Sequence, residues 1–223
     1  GVSPEYLNEY IEKSLDKIST NYLDIIFIHN YKDDMDIKNI MNCINEHYKK
    51  GNIRSWGVCR WPKESINKAI RISKEKNYIP PSYYQGVFNL FNLNKKQIDF
   101  ISFLRKRNIL YHGYSPLARG VLTNKYSKII PKESRAYNSK NIKFMYDLEY
   151  NKINLVSSLG SLANVNKCTV TQLVLSYLLS YNLNTVITGV RSKEQLIELI
   201  SCIDKTLNLK TKNIIKKKFD IYG

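Results

Sequence analysis

Asp24-Ile25-Ile26-Phe27-Ile28-His29-Asn30 decides the fold. A run of β-branched and aromatic residues ends abruptly in a polar His-Asn pair. Such a run reads as a buried parallel strand that delivers an imidazole to its carboxyl end. In α/β folds, chemistry sits at the carboxyl ends of strands. A lone histidine there reads more readily as a satisfied structural group than as a functional one, and only the rest of the chain can shift that balance.

Working outward, Leu7, Ile11, Leu15 and Ile18 recur at helical spacing and predict an amphipathic helix over 4–18. Ser3 can cap it, and Pro4 suits the first helical position. After the strand, Ile37, Ile40, Met41 and Ile44 predict a helix over 36–49, stopped at Gly51-Asn52. A strand over 53–58 follows, then a helix opened by Pro62 and running to Lys76, then a break at Pro80-Pro81. A strand over 83–88, a helix over 95–107 and a strand over 109–114 come next. Residues 118–150 lack clear periodicity and read as a long loop with short helices, and loops of that length are usually either functional lids or disordered. Helices over 151–164 and 170–181, a strand over 185–190 and a helix from about Lys193 complete the pattern. The tail after Leu207 is basic and helical. Thr169 with Gln172, and Ser192 with Gln195, have capping-box spacing.

Strand and helix alternate at roughly 30 residues per unit, which predicts a parallel sheet. Polar residues cluster past each of five strands: His29-Asn30, Cys59-Arg60, Gln85 with Asn89, Tyr114-Ser115, and Gly189 with Arg191-Ser192. The expectation is an α/β fold of TIM (β/α)8-barrel type, present as an incomplete barrel of about five strands with surrounding helices, in a single domain over 1–223. A doubly wound sheet would bring a Gly-rich phosphate loop after its first strand, and that loop is absent.

The 223 residues, 43% hydrophobic and 24% charged, suit a soluble globular protein. No apolar run approaches the roughly 20 residues needed to span a bilayer, and Gly1-Val2-Ser3-Pro4-Glu5 is not a signal peptide. Cys43, Cys59, Cys168 and Cys202 have neither metal-ligand nor redox spacing, which points to a reducing, cytoplasmic home. The net charge of +16 raises the question of nucleic acid. The charge is scattered, however, and the abundance of Lys, Asn, Ile and Tyr fits AT-rich codon usage. With no aromatic-interleaved basic module, neither nucleic acid nor membrane is expected as a partner. A positive field would favour an anionic cofactor or substrate.

The motifs together resemble the aldo-keto reductases, NADPH-dependent enzymes on a TIM barrel. The resemblance runs in order through Ser14-Leu15, Tyr22-Leu23-Asp24 with Ile28-His29, Gly51-Asn52-Ile53-Arg54 with Gly57-Val58, and Gln85 with Asn89-Leu90-Phe91-Asn92. It continues through Tyr114-Ser115-Pro116-Leu117-Ala118-Arg119-Gly120 with Leu122-Thr123, then Thr171-Gln172-Leu173, and ends in Gly189-Val190-Arg191-Ser192-Lys193-Glu194-Gln195-Leu196. It implies NADP(H) as cofactor and a small-molecule carbonyl as substrate. His29 would be the catalytic donor that orients the carbonyl, since hydride transfer builds negative charge on that oxygen. Tyr114 would stack on the nicotinamide and Gln85 would bond its carboxamide. Ser115, Leu117 and Arg119 would hold the pyrophosphate, Arg191 and Ser192 the 2′-phosphate at a helix start, and Gln195 would lie toward the adenosine.

Three departures qualify these roles. The family's catalytic tyrosine, aspartate and lysine lie upstream of the histidine, and no residue of this chain is assigned to them; Tyr22 and Asp24 belong to the wrong end of the strand. Cys59-Arg60 stands where the family usually has Ser-Asn, bringing a weak hydrogen-bonding thiol and a cation. Leu199, after Glu198, replaces an adenine-side asparagine. On these grounds the chain alone is expected to be catalytically incomplete, and the alternative reading is an inactive relative that binds a nucleotide or a protein. Self-association through unpaired sheet edges is a further expectation. Loops 30–36 and 118–150, polar and tyrosine-rich, suit a sugar-like or small polar carbonyl.

Overall fold

A computed structural model describes residues 3–127, 129–132, 134–138, 150–181 and 183–221. Helix α1 (Pro4–Ile18), strand β1 (Leu23–His29), α2 (Ile37–Lys49), β2 (Ile53–Cys59), α3 (Lys63–Lys76), β3 (Tyr83–Val87), α4 (Lys95–Arg105) and β4 (Leu110–Tyr114) alternate. A 3₁₀ helix (Ala118–Thr123) and the short α5 (Arg135–Asn138) follow, then α6 (Tyr150–Ser157), α7 (Gly160–Val165), α8 (Val170–Leu179), β5 (Thr185–Ile187), α9 (Lys193–Ile200) and α10 (Leu209–Lys218). The five strands form one open parallel sheet in the order β1-β2-β3-β4-β5. Each strand lies beside the next in sequence, the arrangement that consecutive βα units produce in a partial TIM barrel.

The chain divides into two compact units. Unit 1 holds Gly1–Gly86 and Phe100–His112, and unit 2 holds Val87–Asp99 and Gly113–Gly223.

In unit 1, β1 and β2 pair from Leu23 opposite Ile53 to His29 opposite Cys59, and β2 continues to β3 with Gly57 opposite Tyr83 and Cys59 opposite Gln85. Gly57 is required by close approach. A Cβ there would lie 2.6 Å from both the Cβ and the carbonyl oxygen of Tyr83 and 2.8 Å from the Phe27 ring. The space it leaves lets Phe27 and Tyr83 come together at 6.3 Å, with the His112 ring 5.8 Å and 5.2 Å from them. Burial in this aromatic layer pushes the His112 imidazole below its ordinary pKa.

The helices of unit 1 bury their apolar stripes (Leu7 and Ile11; Ile37, Ile40, Met41 and Ile44; Ile66 and Ala69). Ser3 caps α1, its hydroxyl accepting from the Tyr6 amide at 3.2 Å. His47 on α2 is buried and held on both nitrogens. Nε2 lies 2.6 Å from Asn8 Oδ1 on α1, and Nδ1 lies 2.9 Å from Asn52 Nδ2 in the turn before β2. An amide nitrogen can only donate, so Nδ1 accepts from Asn52 and Nε2 carries the proton donated to Asn8.

In unit 2, α8 is the most deeply buried helix segment, and its capping box closes in both directions. The Gln172 amide donates to Thr169 Oγ1 at 3.1 Å and the Thr169 amide to Gln172 Oε1 at 3.0 Å. Three differences from the sequence pattern appear. The helix expected over 151–164 breaks into α6 and α7 around Ser158, whose hydroxyl donates to the Leu155 carbonyl at 2.6 Å while Leu159 is fully buried. A serine that bonds the backbone competes with the helical ladder. β5 ends at Ile187 rather than Val190. The Ser192 box closes on one side only: Gln195 turns its side chain to the Arg191 amide instead. The expected loop over 118–150 carries the 3₁₀ helix and α5, and its stretch 139–149 lies outside the described residues.

Candidate functional site

Unit 2 contains a cleft of about 1000 Å³. Three segments and Ser134, just before α5, build it: the chain from the end of β4 to Lys125, the start of α8, and the stretch from the end of β5 into α9. The first segment owes its shape to backbone conformation. Ser115, Ala118, Arg119 and Gly120 all have positive φ, at 54°, 45°, 58° and 99°. Three of these four are not glycine, a strained choice that neighbouring bonds must hold in place. The Ala118 amide donates to the Ser115 carbonyl at 3.0 Å, the Gly120 amide to the Leu117 carbonyl at 2.8 Å, and Thr123 Oγ1 to the Gly120 carbonyl at 2.8 Å. Buried Asn89 anchors the turn from the other side. Its Nδ2 donates to the Ser115 carbonyl at 3.2 Å while its Oδ1 accepts from the Phe91 amide at 3.1 Å.

The third segment ends in the first turn of α9. Ser192 Oγ accepts from the Gln195 amide at 3.3 Å, and Gln195 Oε1 accepts from the Arg191 amide at 2.9 Å. Exposed Glu194 reports the local field: its own backbone N–H, then the Ser192 hydroxyl, hold its carboxyl below the usual carboxylate range. Negative charge is favoured at a helix start.

Arg119, Lys125 and Arg191 line the cleft against one carboxylate, Glu198, whose Oε1 accepts from Thr169 Oγ1 at 2.6 Å. A cation excess beside backbone amides suits an anionic ligand. Of the residues singled out from sequence, Tyr114, Ser115, Leu117, Arg119, Arg191 and Gln195 all line this cleft. Ser192 does not; it caps α9. Leu199, the replaced position, is a wall residue. Lys125, Thr169 and Thr171 also line the cleft; from the sequence Thr169 reads as a cap and Thr171 as part of a motif, and none of the three is assigned to the site there. Lys125 lies in a stretch with no periodicity, so its basic charge was the only sequence signal.

His29 and Gln85 belong to unit 1. The strand register places His29 and Cys59, the last residues of β1 and β2, in one row with Gln85 in the middle of β3. His29 is exposed and Cys59 is buried. The Cys59 thiol donates to Gln85 Oε1 at 3.8 Å, and the Arg60 amide, in left-handed backbone at φ 61°, donates to the Gln85 carbonyl at 3.1 Å. Burial, outweighing the Asn30 backbone and Arg60, pushes the Cys59 thiol up, so Cys59 is a packed weak donor and not a ready thiolate. Tyr22 and Asp24 share the Arg54 guanidinium, which lies 3.7 Å from the Tyr22 ring centroid and 2.9 Å from Asp24 Oδ1. They are surface groups at the start of β1. Among the described residues no cluster of His, Cys, Asp or Glu could hold a metal ion, all four cysteines are free, and no helix is long and apolar enough to cross a membrane.

A parallel sheet of consecutive βα units is the build of a partial TIM barrel. The sequence profile of the aldo/keto reductase family matches residues 1–219, and the chain belongs to that family. A protein described as a probable voltage-gated potassium channel subunit beta, from Oryza sativa subsp. japonica, is 26% identical over 223 residues, covering 97% of this chain and 67% of that protein. The family membership supports oxidoreductase activity in general, and members typically bind NAD(P)H.

Proposed function

We propose that this chain is the cofactor-gripping part of an NADPH-dependent reductase that converts an aldehyde or ketone to an alcohol. The observation that carries this reading is the unit 2 cleft, where Arg119, Lys125 and Arg191 outnumber Glu198 around a strained turn and a helix start. When bound, NADPH supplies the hydride. In this proposal Ser115, Leu117 and Arg119 bind the pyrophosphate, and Arg191 with Ser192 binds the 2′-phosphate. Gln195 faces the adenosine, Tyr114 stacks its ring on the nicotinamide, and Gln85 bonds the carboxamide. His29 donates to the carbonyl oxygen from the end of β1 and holds it in orientation as charge develops. Its exposure leaves it open to a substrate.

No residue of this chain is assigned the family's tyrosine, aspartate or lysine role, so cofactor binding without turnover is the expected behaviour of the chain by itself. Fluorescence titration with NADPH tests the reading. Saturable binding at micromolar cofactor is expected, and no binding at submillimolar NADPH overturns it. Steady oxidation of NADPH by a nitrobenzaldehyde would overturn the incompleteness, and if His29→Ala left that rate unchanged the role of His29 would fall with it.

A second reading is favoured by Cys59-Arg60 and by the description of the rice relative as a channel subunit. In it the chain binds the nucleotide as part of a protein assembly and reduces nothing. Arg60 presents a cation at the end of β2, unfavourable beside an oxidised nicotinamide. Cofactor binding that persists with no turnover after an upstream segment bearing a Tyr, Asp and Lys set is joined to the chain would favour it. We also place the protein in the cytoplasm, where its free thiols stay reduced, and assign it self-association through the outer edges of β1 and β5. A single monomeric species in sedimentation at high concentration would remove that last assignment.

A further inference from the structure

Helix α9 is oriented the opposite way from α1 and α2. Those helices bury their apolar stripes, whereas none of the eight residues of α9 is buried. Its polar residues face the fold instead. Glu198 Oε1 accepts from Thr169 Oγ1 at 2.6 Å, and Ser201, which ends the helix, accepts on its Oγ from Gln172 Nε2 at 2.7 Å. On the other side Leu196 is 45%, Ile197 58% and Ile200 55% exposed, and Ile203 in the following turn is exposed as well. Residues three and four apart share a helix face, so Leu196, Ile197 and Ile200 form one stripe. A surface helix normally hides such a stripe, and contiguous apolar patches of a few hundred Å² mark interaction sites on soluble proteins.

The two ends of the stripe carry opposite charges. Lys193 opens the helix and Asp204 follows it, both exposed and neither in an ion pair among the described residues. The surroundings are nearly balanced, with Lys193 and Lys205 against Glu194, Glu198 and Asp204, so the chain's net charge of +16 does not oppose a like surface here. Two copies laid antiparallel about a two-fold axis put Ile197 against Ile200 of the second copy, and Lys193 toward Asp204 of the second copy, at both ends at once.

We propose that the exposed face of α9 binds the same face of a second copy of this chain, forming a two-fold dimer through Leu196, Ile197 and Ile200. The contact goes beyond the edge pairing proposed above, because it joins helices and leaves β1 and β5 unused, and it does not depend on the nucleotide reading. A pair of short helices is a small interface, so the dimer is weak and concentration-dependent.

Sedimentation velocity of the full chain, from low micromolar to submillimolar concentration, tests it. The wild type is expected to pass from monomer to dimer. Ile197→Glu should weaken association more than about tenfold with its urea midpoint unchanged, since the side chain is exposed. Lys193→Asp should weaken it less, and adding Asp204→Lys should restore it. That restoration requires the antiparallel charge pairing and no folding defect mimics it, so it decides the matter even if Ile197→Glu unfolds. A wild type that stays monomeric throughout overturns the proposal and leaves the face to a different partner. Undiminished association in a folded Ile197→Glu also overturns it and moves the contact to the strand edges. Failure of Asp204→Lys to restore what Lys193→Asp loses overturns the two-fold arrangement.

Discussion

Unit 1 carries 16 Lys and Arg against 11 Asp and Glu; unit 2 carries 19 against 8. Exposed ion pairs such as Arg54 with Asp24 lie in unit 1, and Lys95 pairs with Asp99 in unit 2. Unpaired buried polar atoms occur in both units. His47 in unit 1 is held on both ring nitrogens, whereas Tyr126 in unit 2 keeps its hydroxyl unpaired among the described residues. The contrast is not complete, since Asn45 Nδ2 and Trp61 Nε1 in unit 1 are also unpaired. Unit 2 carries the larger cation excess, and Arg119, Lys125 and Arg191 line its cleft beside a strained turn. A scaffold benefits from internal satisfaction, and a binding cleft needs groups that a ligand completes.

The largest effect that would break this contrast is expected at Gly57. Gly57→Ala forces a Cβ against the Tyr83 backbone at 2.6 Å, and urea unfolding should report a loss of about 3 kcal/mol or more. Next is His47→Ala, which strands the Asn8 and Asn52 side chains; a loss of about 2–3 kcal/mol is expected by the same measurement. His47 also sharpens the comparison through pH. Burial, then Lys50, lowers its pKa below the ordinary 6.5, outweighing Glu12. The folded state therefore favours the neutral ring. Its contribution is complete above the unfolded value and is lost as pH falls below 6.5 through the folded value. His112 acts in the same direction. Urea midpoints should fall from pH 7 to pH 5, and less steeply in His47→Gln; an unchanged slope would show that His47 is not the titrating group.

In unit 2 the expected effects fall on binding. Arg191→Ala should weaken NADPH about tenfold while changing NADH less, read by fluorescence titration at fixed salt. Equal losses for both nucleotides would move Arg191 away from the 2′-phosphate. The smallest effect belongs to Arg54→Ala. Its Asp24 pair is solvent-exposed, and a loss under about 1 kcal/mol is expected in thermal or urea unfolding.

Much of the fold was legible in local pattern. The apolar spacing of α1 and α2, the run Ile25 to Ile28, and the stop at Gly51 all correspond to observed elements, because burial imposes periods of 3.6 and 2 on the residues that achieve it. Where pattern failed, another force prevailed. Ser158 bonds the backbone and splits a helix, and Gln195 chooses the Arg191 amide over its box. For the cleft, Tyr114-Ser115 through Arg119 was readable as a motif. Lys125 was not, because it enters the site through a turn that has no sequence period.

By itself the sequence determined that strands and helices alternate, that the sheet is parallel, and which side chains end its strands, since those follow from hydrophobic period and from Pro and Gly placement. Only the tertiary structure decided which of these groups meet. Four left-handed residues after β4 turn the chain back on itself, Asn89 locks that turn from a distant loop, and Gly120 lets the Lys125 side chain pack against the turn where a Cβ would meet it at 2.7 Å. Those outcomes depend on contacts between residues far apart in sequence, and no local propensity encodes them.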